Sequence, residues 1–330
     1  MDIKMNAPQL NGWIPIRFYW QQSLPVVDWC HLGELRLTDP FLEQTIEECL
    51  QHPFNLLFRH QTAVEVLEEM YETQPGLYPT GFIFHMSRCG STLISQMLAA
   101  LRQNIVISEA GTIDAVLRAN FVQPGVTDEQ QVSWLRWIIS ALAQRRRVEE
   151  RHLFIKFDSW HTLSMSLILR AFPDVPWLFL YRDPVEVIVS HLRQPSGRML
   201  SGMVETHLLG LDIATMSQMP LEEYCALVLA RICETALQSQ RENKGGGIIM
   251  HYRQLPEAVW ATLPDFFHVT YSGTDVDRMR HVAGFNAKAP SAPFVADTTA
   301  KKREATDAVR RAADRWVGSL YAQLEASCHA

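Results

Sequence analysis

Arginine, glycine and hydroxyl residues crowd together in Ser87-Arg88-Cys89-Gly90-Ser91-Thr92, between an apolar run and an amphipathic stretch. The run Gly81 to Met86 is mostly apolar and β-prone, and Leu93, Ile94, Met97, Leu98 and Leu101 then recur at helical spacing from Ser91. A strand, a tight glycine turn and a helix start bring backbone N–H groups and the positive end of a helix to one point, which suits a phosphate-like anion. Arg88 adds a fixed charge, and Ser91 and Thr92 add hydroxyls. The residue after Gly90 is Ser91, so the lysine of the GxxxxGK[ST] loop of common nucleotide triphosphatases is absent.

A second stretch repeats the arrangement. Pro176 to Gln194 reads PWLFLYRDPVEVIVSHLRQ, an apolar strand, a turn and a helix. Asp183 is a good N-cap and Pro184 a good first helical residue. Arg182 stands at the carboxyl end of the strand, Ser190 follows on the helix, and Arg193 lies one turn further on. An arginine and a hydroxyl offering charge-assisted donors make a second anion site. Two anion sites without the triphosphatase lysine point to a doubly phosphorylated nucleotide.

These two motifs resemble the sulfotransferase superfamily, whose co-substrate is 3′-phosphoadenosine 5′-phosphosulfate (PAPS). Ser87 to Thr92 resembles its 5′-phosphosulfate loop, and Arg182 to Ser190 its 3′-phosphate motif. Arginine at position 88 is nearer to the carbohydrate and tyrosylprotein enzymes than to the phenol and steroid ones. Glu109, in SEAGT, falls where the tyrosylprotein type carries its general base. Lys156, in LFIKFD, falls where that type carries a lysine assisting transfer. The resemblance covers roughly Gly81 to Tyr252 and does not extend to the first 78 residues. It implies transfer of a sulfuryl group from PAPS to a hydroxyl or amine of a small molecule, sugar or peptide. In it Arg88, Glu109 and Lys156 act catalytically. Ser87, Arg88, Cys89, Gly90, Ser91, Thr92, Arg182 and Ser190 hold the nucleotide. No metal is called for, because arginine and lysine meet the anionic charge and no His/Cys cluster has ligand spacing.

Simpler readings stand beside several of these. Glu109 would also serve as a helix-start carboxylate, and Lys156 as a partner of Asp158. The histidines at 85, 161, 191 and 251 lie at element ends, each an alternative base or a structural residue. Cys89 is either an activated thiol at a helix N-terminus or a small residue that fits. Lys301-Lys302-Arg303 is either a further 3′-phosphate contact or a solvated helix start. Arg145-Arg146-Arg147 either attracts an acidic acceptor or is a solvated turn complementing a helix C-terminus. Two other functions remain open: a kinase on an atypical phosphate loop, with Asp158 as its magnesium carboxylate, and a nucleotide-binding protein without catalysis.

From Gly81 onward strands and helices alternate, which specifies an α/β P-loop-type parallel sheet flanked by helices. The expected strands are 81–86, 104–107, one ending at Lys156, one before Arg182, and 248–252. The expected helices are 91–101, 130–148, 160–172, 184–194, 221–242 (ended by Gly245-Gly246-Gly247) and a single C-terminal one over 302–326. Residues 195–220 and 286–300 are expected as long loops. Residues 1–78 are expected as a small, mainly helical cap, with helices at Pro40–Gln51 and Thr62–Glu72, and 79–330 as the main domain. At 47% hydrophobic and 20% charged, the chain buries a large core and is not disordered. A net charge of −6 argues against nucleic acid as a partner. No membrane span or signal peptide is predicted, and six cysteines without CxxC spacing read as reduced thiols of a cytoplasmic enzyme.

Overall fold

The computed structural model describes residues 10–196, 199, 206–242 and 246–328. Near the N-terminus the alternating apolar and aromatic residues of WIPIRFYWQ form β1 (Trp13–Gln21), which pairs with β2 (Leu24–His31) in an antiparallel hairpin. Gln22 and Ser23 turn the hairpin with positive φ at both positions, +50° and +67°, the geometry that matches the twist of the paired strands. β3 (His60–Ala63) adds to the free edge of β2. The helices Leu42–Gln51 and Glu65–Thr73 lie where the periodicity places them. The three-stranded sheet between and before them is an addition to the sequence reading. The sequence signal for it, alternation in a run dense in aromatic residues, is a strand signal.

The apolar runs that follow form β4 (Pro79–His85), β5 (Asn104–Ser108), β6 (His152–Lys156), β7 (Trp177–Tyr181) and β8 (Gly247–His251). They make one parallel sheet in the order β5-β6-β4-β7-β8. Its strands read as near-continuous hydrophobic stretches because both faces are covered; every residue of β5 and β7 is buried. Gly247 is needed for close approach, since a Cβ there would lie 2.2 Å from the Trp177 indole. Of the glycines expected to end the preceding helix, Gly245 lies outside the described residues.

The fold splits into two compact units. One comprises Met1–Gly81, Leu98–Lys156 and Leu167–Val175. The other comprises Phe82–Met97, Phe157–Ser166 and Pro176–Ala330. In the first, the helix Asp128–Leu142 packs on Glu65–Thr73 and on β1, with Phe18 against Trp134. In the second, the helix Leu221–Glu242 packs against Pro184–Arg193 and Asp307–Trp316.

Several boundaries differ from expectation. The helix Asp128–Leu142 ends before Arg145, so Arg145 to Arg147 is not its last turn. Instead Glu150, buried, accepts the Arg146 and Arg147 backbone N–H groups at 2.7 and 3.1 Å and folds the turn on itself. The C-terminal segment is three helices, Thr298–Glu304, Asp307–Trp316 and Gly318–Cys328, because Thr306 caps a new start through Val309. Within the expected loops lie the helices Thr206–Leu209 and Ile213–Gln218, and the hairpin strand Ala289–Pro293. No helix among the described residues is long and apolar enough to cross a membrane.

Candidate functional site

The loop after β4 adopts an uncommon backbone. Ser87, Arg88 and Gly90 all have positive φ, at +86°, +49° and +93°. Glycine tolerates that region freely, whereas serine and arginine enter it only when their surroundings hold them there. Ser87 is held from both ends: its N–H donates to His85 Nδ1 at 3.1 Å, and its hydroxyl lies 3.1 Å from His191 Nε2. Arg88 donates from Nη2 to the Gln194 carbonyl at 2.7 Å, which carries its side chain to the end of the helix Pro184–Arg193. At Gly90 a Cβ would meet the Tyr252 ring at 2.8 Å. The helix Ser91–Ala99 starts directly after, with Ser91 and Thr92 buried at its first turn. First-turn N–H groups have no intrahelical acceptors, so the loop and helix start offer donors to an anion.

Cys89 belongs to the packing rather than the chemistry. It is fully buried, its thiol donates to the Leu180 carbonyl at 3.2 Å, and burial pushes its pKa up to about 12. The lowering expected from a helix N-terminus and an arginine is outweighed by desolvation.

Arg182 is buried at the end of β7 and engaged through Nε and Nη2. Its guanidinium donates to Glu186 at 2.6 Å, to Asp297 at 2.9 Å and to the Thr298 hydroxyl at 3.0 Å, and it lies over the Tyr252 ring. Burial works against its charge, but Asp297 and Glu186 outweigh burial and hold its pKa above the usual value. Lys301, also buried, bonds the other oxygen of Asp297 at 2.7 Å. Burial lowers its pKa, with Asp297 opposing. Lys302 is half exposed and reaches Asp183 at 3.3 Å and Glu186 at 3.8 Å. Asp183 caps its helix through Val185 N–H at 3.0 Å, as its position before Pro184 requires. Ser190 lies part-exposed on that helix, one residue before His191. Tyr252 therefore ties the two anion motifs together: Gly90 abuts its ring and Arg182 covers it.

In the other unit, Glu109 and Lys156 stand together. Glu109 follows β5 with φ +54°, and its N–H donates to the Lys156 carbonyl at 2.8 Å. The Lys156 ammonium, wholly buried, pairs with the Glu109 carboxylate and lies 4.8 Å from the centre of the Phe41 ring. Asp158, the carboxylate that a magnesium-dependent kinase would use, accepts from Ser159 N–H at 2.6 Å as an N-cap.

The Sulfotransferase family model matches residues 79–225. This segment belongs to the sulfotransferase family. The matched residues contain the phosphate loop, Glu109, Lys156, Arg182 and Ser190, and sulfuryl transfer is the chemistry that the membership carries. A search of curated proteins finds no match. Among solved structures, the sulfotransferase domain from the curacin biosynthetic pathway is 17% identical at a TM-score of 0.44, covering 76% of this chain and 98% of that one. The sulfotransferase from Alicyclobacillus acidocaldarius is 14% identical at 0.45, covering 76% and 96%. Sulfotransferase STF9 from Mycobacterium avium is 14% identical at 0.41, covering 88% and 81%. Scores below 0.5 leave these as distant likenesses, and the fold rests on the strands themselves.

Around the sulfotransferase motifs, sequence reasoning missed Tyr252, Glu186, Asp297 and Thr298 as partners of Arg182. Glu186 had a local signal, one helical turn after Arg182. Tyr252 and the 297–298 pair come from distant segments and have none.

Proposed function

We propose that the protein transfers a sulfuryl group from PAPS to a hydroxyl, or an amine, of a small-molecule, sugar or peptide acceptor. The observation that carries the reading is the loop Ser87–Gly90, held with three positive φ angles at the start of the Ser91–Ala99 helix. Such a backbone turns N–H groups inward, where they would cradle the 5′-phosphosulfate. Arg88 is assigned to the bridging and 5′-phosphate oxygens. Arg182 and Ser190 are assigned to the 3′-phosphate, which separates PAPS from ATP. Arg182 is engaged by Asp297, so phosphate binding there requires Asp297 to yield one of its two cationic partners.

The reaction breaks the S–O bond to the 5′-phosphate as the acceptor oxygen or nitrogen bonds to sulfur. It leaves 3′,5′-adenosine bisphosphate (PAP). Positioning and stabilisation of charge on the departing oxygen supply most of the rate. Glu109 is assigned the acceptor's proton. Lys156 is assigned to orient the Glu109 carboxylate, its partner in the structure, and to meet developing negative charge. Residues 79–330 are assigned to the transferase unit and 1–78 to an accessory cap. A cytoplasmic location is part of the proposal and rests on the cysteine spacing alone.

The test is incubation of the protein with sulfur-labelled PAPS and a panel of phenols, sugars, amines and tyrosine peptides. Label appearing in an acceptor together with PAP supports the reading. Label remaining on PAPS across a panel spanning all four classes counts against it.

A further inference from the structure

Ser87, in the phosphate loop, meets an imidazole at its N–H and another at its hydroxyl. Its N–H is taken by His85, two residues before it. Its hydroxyl meets His191, a residue 104 positions away on the helix that also carries Ser190. His191 is wholly buried and Ser87 is 7% exposed, so little water competes for this bond. Among the described residues His191 Nδ1 meets no hydrogen-bond partner. Burial, then Arg88, Lys288 and Lys301, push the His191 pKa down to about 3. The ring is therefore held neutral near pH 7.

A neutral ring has two tautomers, and the surroundings choose between them. With the proton on Nδ1, a buried N–H is left without an acceptor, an arrangement folded proteins rarely keep. With the proton on Nε2, the ring donates to Ser87 Oγ and Nδ1 is left only as an unused acceptor. The second tautomer also leaves the Ser87 hydroxyl its own proton. That proton is then free to be donated to an anion in the loop.

We infer that His191 is a positioning residue of the donor site: it donates from Nε2 to Ser87 Oγ, fixes the strained start of the phosphate loop, and orients the Ser87 hydroxyl toward the bound phosphosulfate. The inference rests on the proposed use of this loop for PAPS. It ties the loop to the helix of the 3′-phosphate motif by a side chain that touches neither phosphate. The bond holds a serine at φ +86°, a conformation that a free loop would leave.

The experiment compares wild type, His191→Phe, His191→Gln, Ser87→Ala and the Ser87→Ala/His191→Phe double variant. PAP binding is measured by calorimetry and amide hydrogen exchange over residues 86–92 in the ligand-free protein. Phenylalanine keeps the volume and removes the donor; glutamine restores a donor near the Nε2 position. His191→Phe weakens PAP binding about five- to tenfold, the worth of one buried hydrogen bond, and Ser87→Ala, which also loses the hydroxyl's own bond to the anion, weakens it further. The double variant is no weaker than Ser87→Ala, because once the hydroxyl is gone His191 has nothing left to position. His191→Gln stays within about twofold of wild type, and only His191→Phe and Ser87→Ala speed exchange in the loop. Equal losses in His191→Phe and His191→Gln would reduce the histidine to packing and overturn the inference, as would wild-type affinity and exchange in His191→Phe. If wild type itself fails to bind PAP, the donor reading fails, and the exchange comparison alone still decides whether His191 fixes the loop.

Discussion

Replacing Arg182 with methionine separates what this residue does for stability from what it does for the nucleotide. The side chains of Arg182 and Glu186 are 6% and 4% exposed, so removing the arginine strands a buried carboxylate. Breaking a buried pair from one side costs about 3–5 kcal/mol. Two features favour the low end. Asp297, the other partner, is 43% exposed and can hydrate itself, and Lys302 lies 3.8 Å from Glu186. Arg182→Met should therefore lose about 3 kcal/mol of stability. Adding Glu186→Gln removes the stranded charge and should recover about 2 kcal/mol of it. Nucleotide binding behaves differently. Both variants lack the charge-assisted donors to the 3′-phosphate, worth about 2 kcal/mol, so both should bind PAP roughly thirtyfold more weakly. Urea unfolding followed by tryptophan fluorescence reads the first quantity and calorimetry the second. A wild-type unfolding midpoint in Arg182→Met, or no recovery on adding Glu186→Gln, would refute the reasoning.

Arg88→Ala should abolish turnover and sharply weaken PAP binding, whereas Glu109→Gln should leave PAP binding near wild type and remove turnover. Full turnover in Glu109→Gln on the acceptor would transfer the base role to another residue. Asp297→Asn should tighten PAP binding several-fold, because it frees Arg182 and Lys301 for phosphate; unchanged or weaker binding would contradict the competition. The Asp297 pKa is lowered: burial raises it, but Lys301 and Arg182 prevail. Its contribution to stability is therefore present above its unfolded value, about pH 4, and is lost as pH falls below that. The acid limb of the wild-type stability curve should flatten in Asp297→Asn. Cys49 should react with iodoacetamide before Cys30 and Cys89, as peptide mass spectrometry would read. Contact with the Cys30 thiol lowers its pKa and it is only half buried, whereas Cys30 and Cys89 are buried with raised values. Earlier labelling of Cys89 would mean that the loop opens in solution.

The parallel sheet was legible because each of its strands is an apolar run bounded by turn chemistry, and the helix Leu221–Glu242 because its periodicity holds over its whole length. The phosphate loop and Arg182 to Ser190 were legible because strand, turn and helix start are local features. The N-terminal strands were hidden by an aromatic-rich stretch that advertises burial more loudly than alternation. The C-terminal breaks were hidden because Thr306 interrupts a continuous helical pattern with a cap and not with a proline. The distant partners of Arg182 and Ser87 could not be read. Asp297 is 115 residues from Arg182, and His191 is 104 from Ser87. Only the folded sheet brings those segments together, and a spacing rule along the chain has no term for that.

The most direct test of the account is thermal stabilisation of the protein by PAP against ATP, GTP and AMP, each without and with magnesium. A ligand that binds only the native state raises the melting temperature by mass action. The account predicts strong, metal-independent stabilisation by PAP and little by the other three. Magnesium-dependent stabilisation by ATP with none by PAP would contradict it.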